Sequence, residues 1–270
     1  MNQLDEREPH PIEVESYEII SDLVDLTKFT SKTRSIVQRV IHATADLDYA
    51  TTMLLTDTAV EAGLEAISKG APIICDVTML MSGITAYPAT CYLPKLAEHR
   101  NTTTTDPSSS ASSQINSHIK QIKSIKSSSR RTKPNGKSAA RSRTGDGPTP
   151  FSHGPDLSRE TIPTRSARAM RLAAAEHPEG AIIAVGCAPT ALFEILRLVE
   201  EGSLRPALVI GMPVGFVGAS DAKEYLAAVL PKTSITNSGP KGGSAATAAA
   251  VNALVGLGRT TENANHYRHS

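Results

Sequence analysis

Short apolar runs, each followed by a glycine- or proline-rich turn and then by a helix-like stretch, constrain this chain most strongly. Residues 181–190 (AIIAVGCAPT) and 209–217 (VIGMPVGFV) both have this form, and residues 239–244 (GPKGGS) follow a third short β-like run. Continuous apolar strands that alternate with helices are typical of a parallel sheet covered on both faces. The sequence therefore predicts an α/β fold with a mainly parallel sheet and helices on both faces.

Helical spacing and capping residues extend this pattern along the chain. Helices are predicted at 33–43, 57–69, 164–176, 190–201, 220–230 and 244–257, and strands at 50–56, 72–77, 181–185, 207–211 and 233–236. Thr30 or Ser31 is expected to cap the first helix and Thr56 or Asp57 the second, while Gly70 ends the second.

Residues 101–150 differ in composition from the rest of the chain, being rich in Ser, Thr, Lys and Arg. Nine of the 28 Lys and Arg lie between residues 107 and 145, together with none of the 27 Asp and Glu, so the remainder is acidic. Such a segment buries too little apolar surface to offset its ordering entropy. We predict one domain built from residues 1–100 and 151–258, interrupted by a disordered basic insertion at 101–150 and followed by a disordered tail at 259–270.

Composition argues against several classes of protein. Aromatic residues make up 4% of the chain and Trp is absent, which disfavours stacking on single-stranded nucleic acid, and no apolar run approaches the roughly 20 residues that span a bilayer. The acidic N-terminus does not resemble a secretory signal. Cys75, Cys91 and Cys187 show neither disulfide nor zinc spacing. We expect a cytoplasmic protein without nucleic-acid, membrane or metal partners. The basic insertion is interpreted as a solvated linker, and the alternative is that it contacts nucleic acid or anionic surfaces.

The glycine-rich loops carry no nucleotide or hydrolase fingerprint. The 239–244 loop contains Lys241 but lacks the GxxxxGK[ST] pattern, and no strand-linked GxGxxG, GxSxG or HExxH motif occurs. A nucleotide-dependent enzyme is therefore the weakest hypothesis, and no cofactor is expected.

The three loops are expected to meet at one edge of the sheet, because ligands of such sheets bind beyond the carboxyl ends of the strands. Free amides at helix N-termini favour negative charge. Three such loops predict a broad ligand with several anionic groups. The candidate binding positions in the loops are Gly186, Pro213, Gly215, Lys241, Gly242, Gly243 and Ser244.

A few side chains are candidates for chemistry or binding. His42 ends a helix, where the dipole favours the imidazolium, and suits a general acid; the alternative is a half-buried structural histidine. Asp76 follows an apolar strand and either braces a loop or orients a base or a ligand nitrogen. Arg165 and Ser166 open a helix, where Arg165 either binds carboxylates or is a plain surface residue. Cys187 is interpreted as a small turn residue rather than a nucleophile.

Several stretches jointly resemble the precorrin-8X methylmutase family of cobalamin biosynthesis. They are 40–46 (VIHATAD), 70–76 (GAPIICD) with Met79 and Gly83, 164–167 (TRSA), 186–193 (GCAPTALF), 211–219 (GMPVGFVGA) with Lys223, and 241–244 (KGGS) followed by 251–254 (VNAL). The resemblance covers nearly everything outside the insertion and the termini. It implies a cofactor-free migration of a methyl group from C-11 to C-12 of precorrin-8X, giving hydrogenobyrinate, or cobyrinate from cobalt-precorrin-8.

The resemblance also implies roles for particular residues. His42 matches the family's catalytic histidine, which protonates the macrocycle, while Ser16 and Arg165 match ligand-binding positions. The family works as a homodimer with its sites near the subunit interface. Cys187 and Glu15 depart from the family pattern, which has Asn and Arg there, so a non-catalytic corrinoid-binding protein is the alternative hypothesis.

Overall fold

Strands from two separate parts of the chain lie in one six-stranded sheet. The computed structural model describes residues 11–96 and 164–266, with side chains as far as residue 259. The helices described are α1 (Pro11–Leu23), α2 (Ser31–Thr44), α3 (Tyr49–Thr52), α4 (Asp57–Ser68), α5 (Thr78–Gly83), α6 (Arg165–Glu176), α7 (Pro189–Glu200), α8 (Ala219–Val229) and α9 (Ser244–His266). The strands described are β1 (Met53–Leu54), β2 (Ile73–Cys75), β3 (Ala89–Cys91), β4 (Ile182–Val185), β5 (Leu208–Gly211) and β6 (Ser234–Asn237).

The sheet is mainly parallel, as predicted. Its strand order is β1-β6-β5-β4-β2-β3, and only the edge strand β1 runs antiparallel to its neighbour. The carboxyl ends of β2, β4, β5 and β6 therefore share one edge, at which the loops to the following helices begin.

Helices cover both faces of the sheet, which confirms the predicted fold class. Strand residues alternate between the faces, so Ile73, Ile182 and Leu208 belong to the core cluster shared with α2, α4 and α9. Ile74 and Ile183 are equally buried but lie outside that cluster. On the opposite face α6 packs on α7, α7 packs on α8, and α7 and α8 contact β4 and β6.

One predicted strand is wrong in its first half. Residues 50–56 were expected to be extended, but Tyr49–Thr52 forms the short helix α3 and only Met53–Leu54 is strand. The Asp48 carbonyl accepts the Thr52 amide and the hydroxyls of both Thr51 and Thr52, which closes a helical turn that β-propensity does not reveal.

The C-terminal helix runs further than predicted. α9 continues to His266, into the range for which a disordered tail was expected. Neither this 23-residue helix nor any other described one is apolar enough to cross a membrane. The predicted insertion at 101–150 lies outside the described residues, so the predicted domain organisation stays a prediction.

Candidate active site

The loops that follow β4, β5 and β6 come together, as the sequence predicted. The Gly243 amide donates to the Met212 carbonyl at 2.8 Å, which joins the loops after β5 and β6. A Cβ on Gly186 would lie 3.0 Å from the Ser244 Cα, so the loop after β4 touches the start of α9. The loops can approach each other this closely because these glycines have no side chain.

Among the described glycines, Gly242 has the least room for a side chain. A Cβ there would lie 2.2 Å from the Met212 carbonyl oxygen and 2.8 Å from that of Pro213. Because both obstacles are backbone, Gly242→Ala should lower the free energy of unfolding by about 1–3 kcal/mol. Gly256→Ala is the control, since a Cβ there meets nothing within 4 Å and helix propensity favours alanine by about 1 kcal/mol. Urea denaturation measures both; equal stability of the two variants would contradict the crowding.

Pro213 and Gly215 lie in the loop after β5. Pro213 is buried, whereas Gly215 is partly exposed and donates its amide to the Pro240 carbonyl at 3.0 Å. The Gly215 amide therefore ties two loops together instead of facing solvent. Val214 and Phe216 beside it are exposed, Phe216 by 87%.

Asp76 fills the turn after β4. Its carboxylate is fully buried and accepts the amides of Gly186, Cys187 and Ala188 at 3.1, 2.9 and 2.9 Å. Burial raises the pKa of Asp76, and the three amides oppose the rise. These amides were predicted to face a ligand; in the structure Asp76 occupies them, so Asp76 and Gly186 brace a loop. Burial, and then the charge of Asp76, also raise the pKa of Cys187, which agrees with a turn residue rather than a nucleophile.

The first turn of α9 differs from the loop after β4 in how its backbone amides are used. Within the described residues, the amides of Ser244, Ala245 and Ala246 donate to no protein acceptor, whereas the Thr247 amide bonds to the Gly243 carbonyl at 3.0 Å. Unused amides at the first turn of a long helix suit a carboxylate. This helix start therefore retains the anion-binding character that the loop after β4 has lost.

His42 lies in the last turn of α2 and has a hydrogen-bonding partner on α1. The Ser16 Oγ is 2.7 Å from His42 Nδ1, and the Tyr17 ring is 5.4 Å from the imidazole, centroid to centroid. Burial, and then the charge of Arg39, lower the pKa of His42. The helix-end argument predicted the opposite direction, whereas burial of the imidazole and the nearby cation both favour its neutral form.

A polar network beside His42 was missed from the sequence. Arg39, one turn earlier on α2, donates to the Glu13 carboxylate and, at 3.2 Å, to the Tyr17 hydroxyl. The Tyr17 hydroxyl in turn donates to Glu13 at 3.1 Å. These contacts and the Ser16–His42 pair hold α1 against α2. The four-residue spacing of Glu13 and Tyr17 indicates that they share a helix face. No local pattern identifies Arg39 as the partner of both.

Lys241, a predicted binding position, uses its ammonium within the protein. Its ammonium pairs with Asp46 Oδ2 at 2.8 Å and Asp48 Oδ2 at 2.5 Å. The hydrogen bonds that the ammonium donates to these carboxylates raise the pKa of Lys241. Since Asp46 follows α2 closely, the ion pairs tie the end of the helix that carries His42 to the loop before α9.

Arg165 and Ser166 open α6 beside the start of α7. Thr164 caps α6 by accepting the Ala167 amide at 3.2 Å, and its Oγ1 lies 2.8 Å from that of Thr190. Arg165 is exposed and makes no ion pair with another described residue. Its guanidinium is therefore available to a carboxylate.

Comparisons with known proteins agree with the resemblance seen in the sequence. A family model described as precorrin-8X methylmutase matches residues 11–133 and 151–257. The cobalt-precorrin-8 methylmutase of Priestia megaterium is 35% identical over 92% of this chain and 87% of its own length, and the precorrin-8X methylmutase of Pseudomonas aeruginosa is 31% identical over 92% and 95%. A crystal structure of precorrin-8x methyl mutase from Thermus thermophilus superposes with a TM-score of 0.62 at 28% identity, covering 93% of this chain and 99% of that one. The chain belongs to the precorrin-8X methylmutase family.

Proposed function

We propose that this protein is an isomerase of cobalamin biosynthesis that moves a methyl group from C-11 to C-12 of a corrin precursor. The product is hydrogenobyrinate, or cobyrinate when the precursor already contains cobalt. Family membership supports the reaction, and the pairing of His42 with Ser16 is the observation in the structure that supports it most. Lys241 ties Asp46, four residues after His42, to the loop that leads into the unused amides of α9, which supports a proton donor close to an anion-binding edge.

His42 supplies the acid–base chemistry in this proposal. Because Ser16 occupies Nδ1, Nε2 is the ring nitrogen that exchanges a proton with the macrocycle. During the shift the methyl bond to C-11 breaks and the bond to C-12 forms, the electrons stay within the macrocycle, and the proton returns to His42. The reaction is redox-neutral and draws on no resident cofactor. A depressed imidazole pKa makes the protonated form a stronger acid.

The acetate and propionate arms of the substrate are held by cationic and amide groups. Arg165 offers a planar guanidinium fork, and the first amides of α9, from Ser244 onwards, offer unused donors. Ser166 lies beside Arg165, and Gly243 brings the backbone close. Holding the ring in one geometry contributes a large part of the rate.

Conversion of defined substrates tests this function. Purified protein is incubated separately with precorrin-8X and with cobalt-precorrin-8, and the absorption spectrum and product mass are followed. We expect conversion of at least one substrate to an isomer of unchanged mass. Binding of both without conversion would establish the non-catalytic corrinoid-binding protein, and absence of binding would refute both hypotheses.

We further infer a homodimer. Ile19 and Leu23 on α1 are 51% and 61% exposed, on the same helix as Ser16, and Phe216 is exposed in the loop after β5. Apolar surface at these positions suits a second copy of this chain packed near the site. Light scattering on the full chain should give twice the monomer mass, and Leu23→Glu should lower it. A monomeric wild type would contradict the dimer.

A cytoplasmic location is also inferred. Cys75 and Cys91 occupy paired positions on the neighbouring strands β2 and β3, yet both thiols are free, as is Cys187. Three free thiols support a reducing compartment.

A further inference from the structure

Lys223 is a buried lysine without an acidic partner. It lies on α8 with 0% exposure, and its ammonium donates to the Lys241 carbonyl and, at 3.3 Å, to Asn237 Oδ1. Among the described residues, no carboxylate lies within ion-pair distance of Lys223. Both acceptors are neutral, and burying an ammonium without a counter-charge is unfavourable for folding. Its burial lowers the pKa of Lys223 to about 8. Stability alone does not account for a lysine at this position.

The Lys241 carbonyl is held from two sides. Besides the Lys223 ammonium, it accepts the side-chain amide of Asn237 at 2.9 Å, and Asn237 is itself buried at the end of β6. The Lys241 side chain meanwhile pairs with Asp46 and Asp48. The backbone of Lys241 is thus fixed from within the protein, and its side chain is fixed to the segment after α2.

The fixed carbonyl stands directly before the turn that leads into α9. Gly242 packs against the Met212 carbonyl, Gly243 donates to the same carbonyl at 2.8 Å, and the unused amides of α9 begin at Ser244. Glycines permit many backbone conformations, so a turn that contains two of them depends on its flanking contacts for a single shape. The Lys241 carbonyl is the flanking contact on the N-terminal side.

We propose that Lys223 is a positioning residue for the corrin substrate. Its hydrogen bond to the Lys241 carbonyl holds the following turn in the shape that presents the first amides of α9 to a substrate carboxylate. This inference rests on the proposed methylmutase function. The ammonium also adds positive potential close to the helix start, which favours the same anion. Lys223 acts through the loop and does not touch the reacting atoms.

Replacement by a lysine-sized apolar side chain separates this role from simple packing. Lys223→Met keeps the volume and removes the charge and the donors. We expect KM for the converted precursor, and Kd for the product cobyrinate measured by absorbance titration, to rise about tenfold, with kcat changed less than about threefold. The urea midpoint should stay close to that of the wild type, since an unpaired buried charge has been removed. Lys232→Met, at an exposed lysine of the described chain, is the matched control and should change none of these values.

Hydrogen exchange keeps the inference testable if the variant is less stable than expected. Amides of residues 241–246 should exchange faster in Lys223→Met than in the wild type, by more than the change in global stability accounts for. Unchanged KM and Kd, or a loss of affinity without faster exchange in that loop, would overturn the positioning role. Failure of the proposed function shows separately, as absence of conversion by the wild type.

Discussion

Replacing His42 with alanine should lower kcat by about 10²–10⁴-fold while the affinity for the corrin precursor changes little. Ser16 engages Nδ1, so the proton leaves from Nε2, and alanine removes that donor without altering the loops that hold the carboxylates. Single-turnover absorbance measures the chemical step, and titration measures binding. His177→Gln, at the far end of α6 from Arg165, serves as the control histidine and should retain kcat. Retained turnover in His42→Ala would refute the assigned role.

Ser16→Ala distinguishes two roles for the serine. If Ser16 orients the imidazole, its loss removes one hydrogen bond of about 1 kcal/mol, and kcat falls several-fold with KM unchanged. If Ser16 binds the substrate directly, as the family resemblance implies, KM rises instead. Ser21→Ala on the same helix is the control, because the Ser21 hydroxyl bonds only to Tyr17 and Gln38 within the described structure.

The pH dependence of turnover follows from the same histidine. Burial, and then Arg39, lower the pKa of His42 from the ordinary value of a histidine, which shifts the balance toward the neutral imidazole. If that form delivers the proton, kcat should rise as the pH falls through the lowered pKa and level off below it. Arg39→Gln removes the neighbouring cation and should move this rise to higher pH. A rate that falls on acidification would contradict proton donation by the imidazolium.

Replacing Asp76 with asparagine should lower the free energy of unfolding by about 2–4 kcal/mol, because at least one buried amide donor loses its acceptor. The two carboxylate oxygens accept three amides in a fully buried position. Asparagine keeps one acceptor oxygen and turns an NH₂ group toward an amide N–H, which leaves buried donors unsatisfied. The turn after β4, and with it the start of α7, loses its support.

Urea denaturation with a matched control tests this expectation. Asp22→Asn changes an exposed aspartate on α1 and should stay within about 0.5 kcal/mol of the wild type. A loss below about 1 kcal/mol in Asp76→Asn would show that the loop does not depend on the carboxylate. Asp76→Ala should be at least as destabilising, because it also leaves a cavity.

Local patterns were sufficient for most of the sheet and its flanking helices. β2, β4 and β5 are short apolar runs. Thr30, Thr56 and Thr164 cap α2, α4 and α6 through their own side chains. Helix caps and apolar periodicity depend on residues that are close in sequence, so both can be recognised without knowing the fold. α1 was not predicted because Ile20 is its only buried residue, too little for a periodic signal. α1 is held in place by contacts with α2. Glu13 bonds to Arg39 and Ser16 to His42, and each partner lies 26 residues further along the chain.

The residues themselves indicated the chemistry: a histidine at a helix end, glycine-lined turns at the carboxyl edge of a parallel sheet, and motifs specific to one family. Which donors and charges are used inside the protein depended on the folded chain. Asp76 reaches amides 110 to 112 residues further along, and Lys241 pairs with Asp46 across 195 residues. Burial, and then the charge of Arg39, lower the pKa of His42, opposite to the direction expected from the helix end. A backbone N–H or an ammonium looks the same in a sequence whether it is free or occupied, because its partner comes from a distant segment and only packing brings the two together.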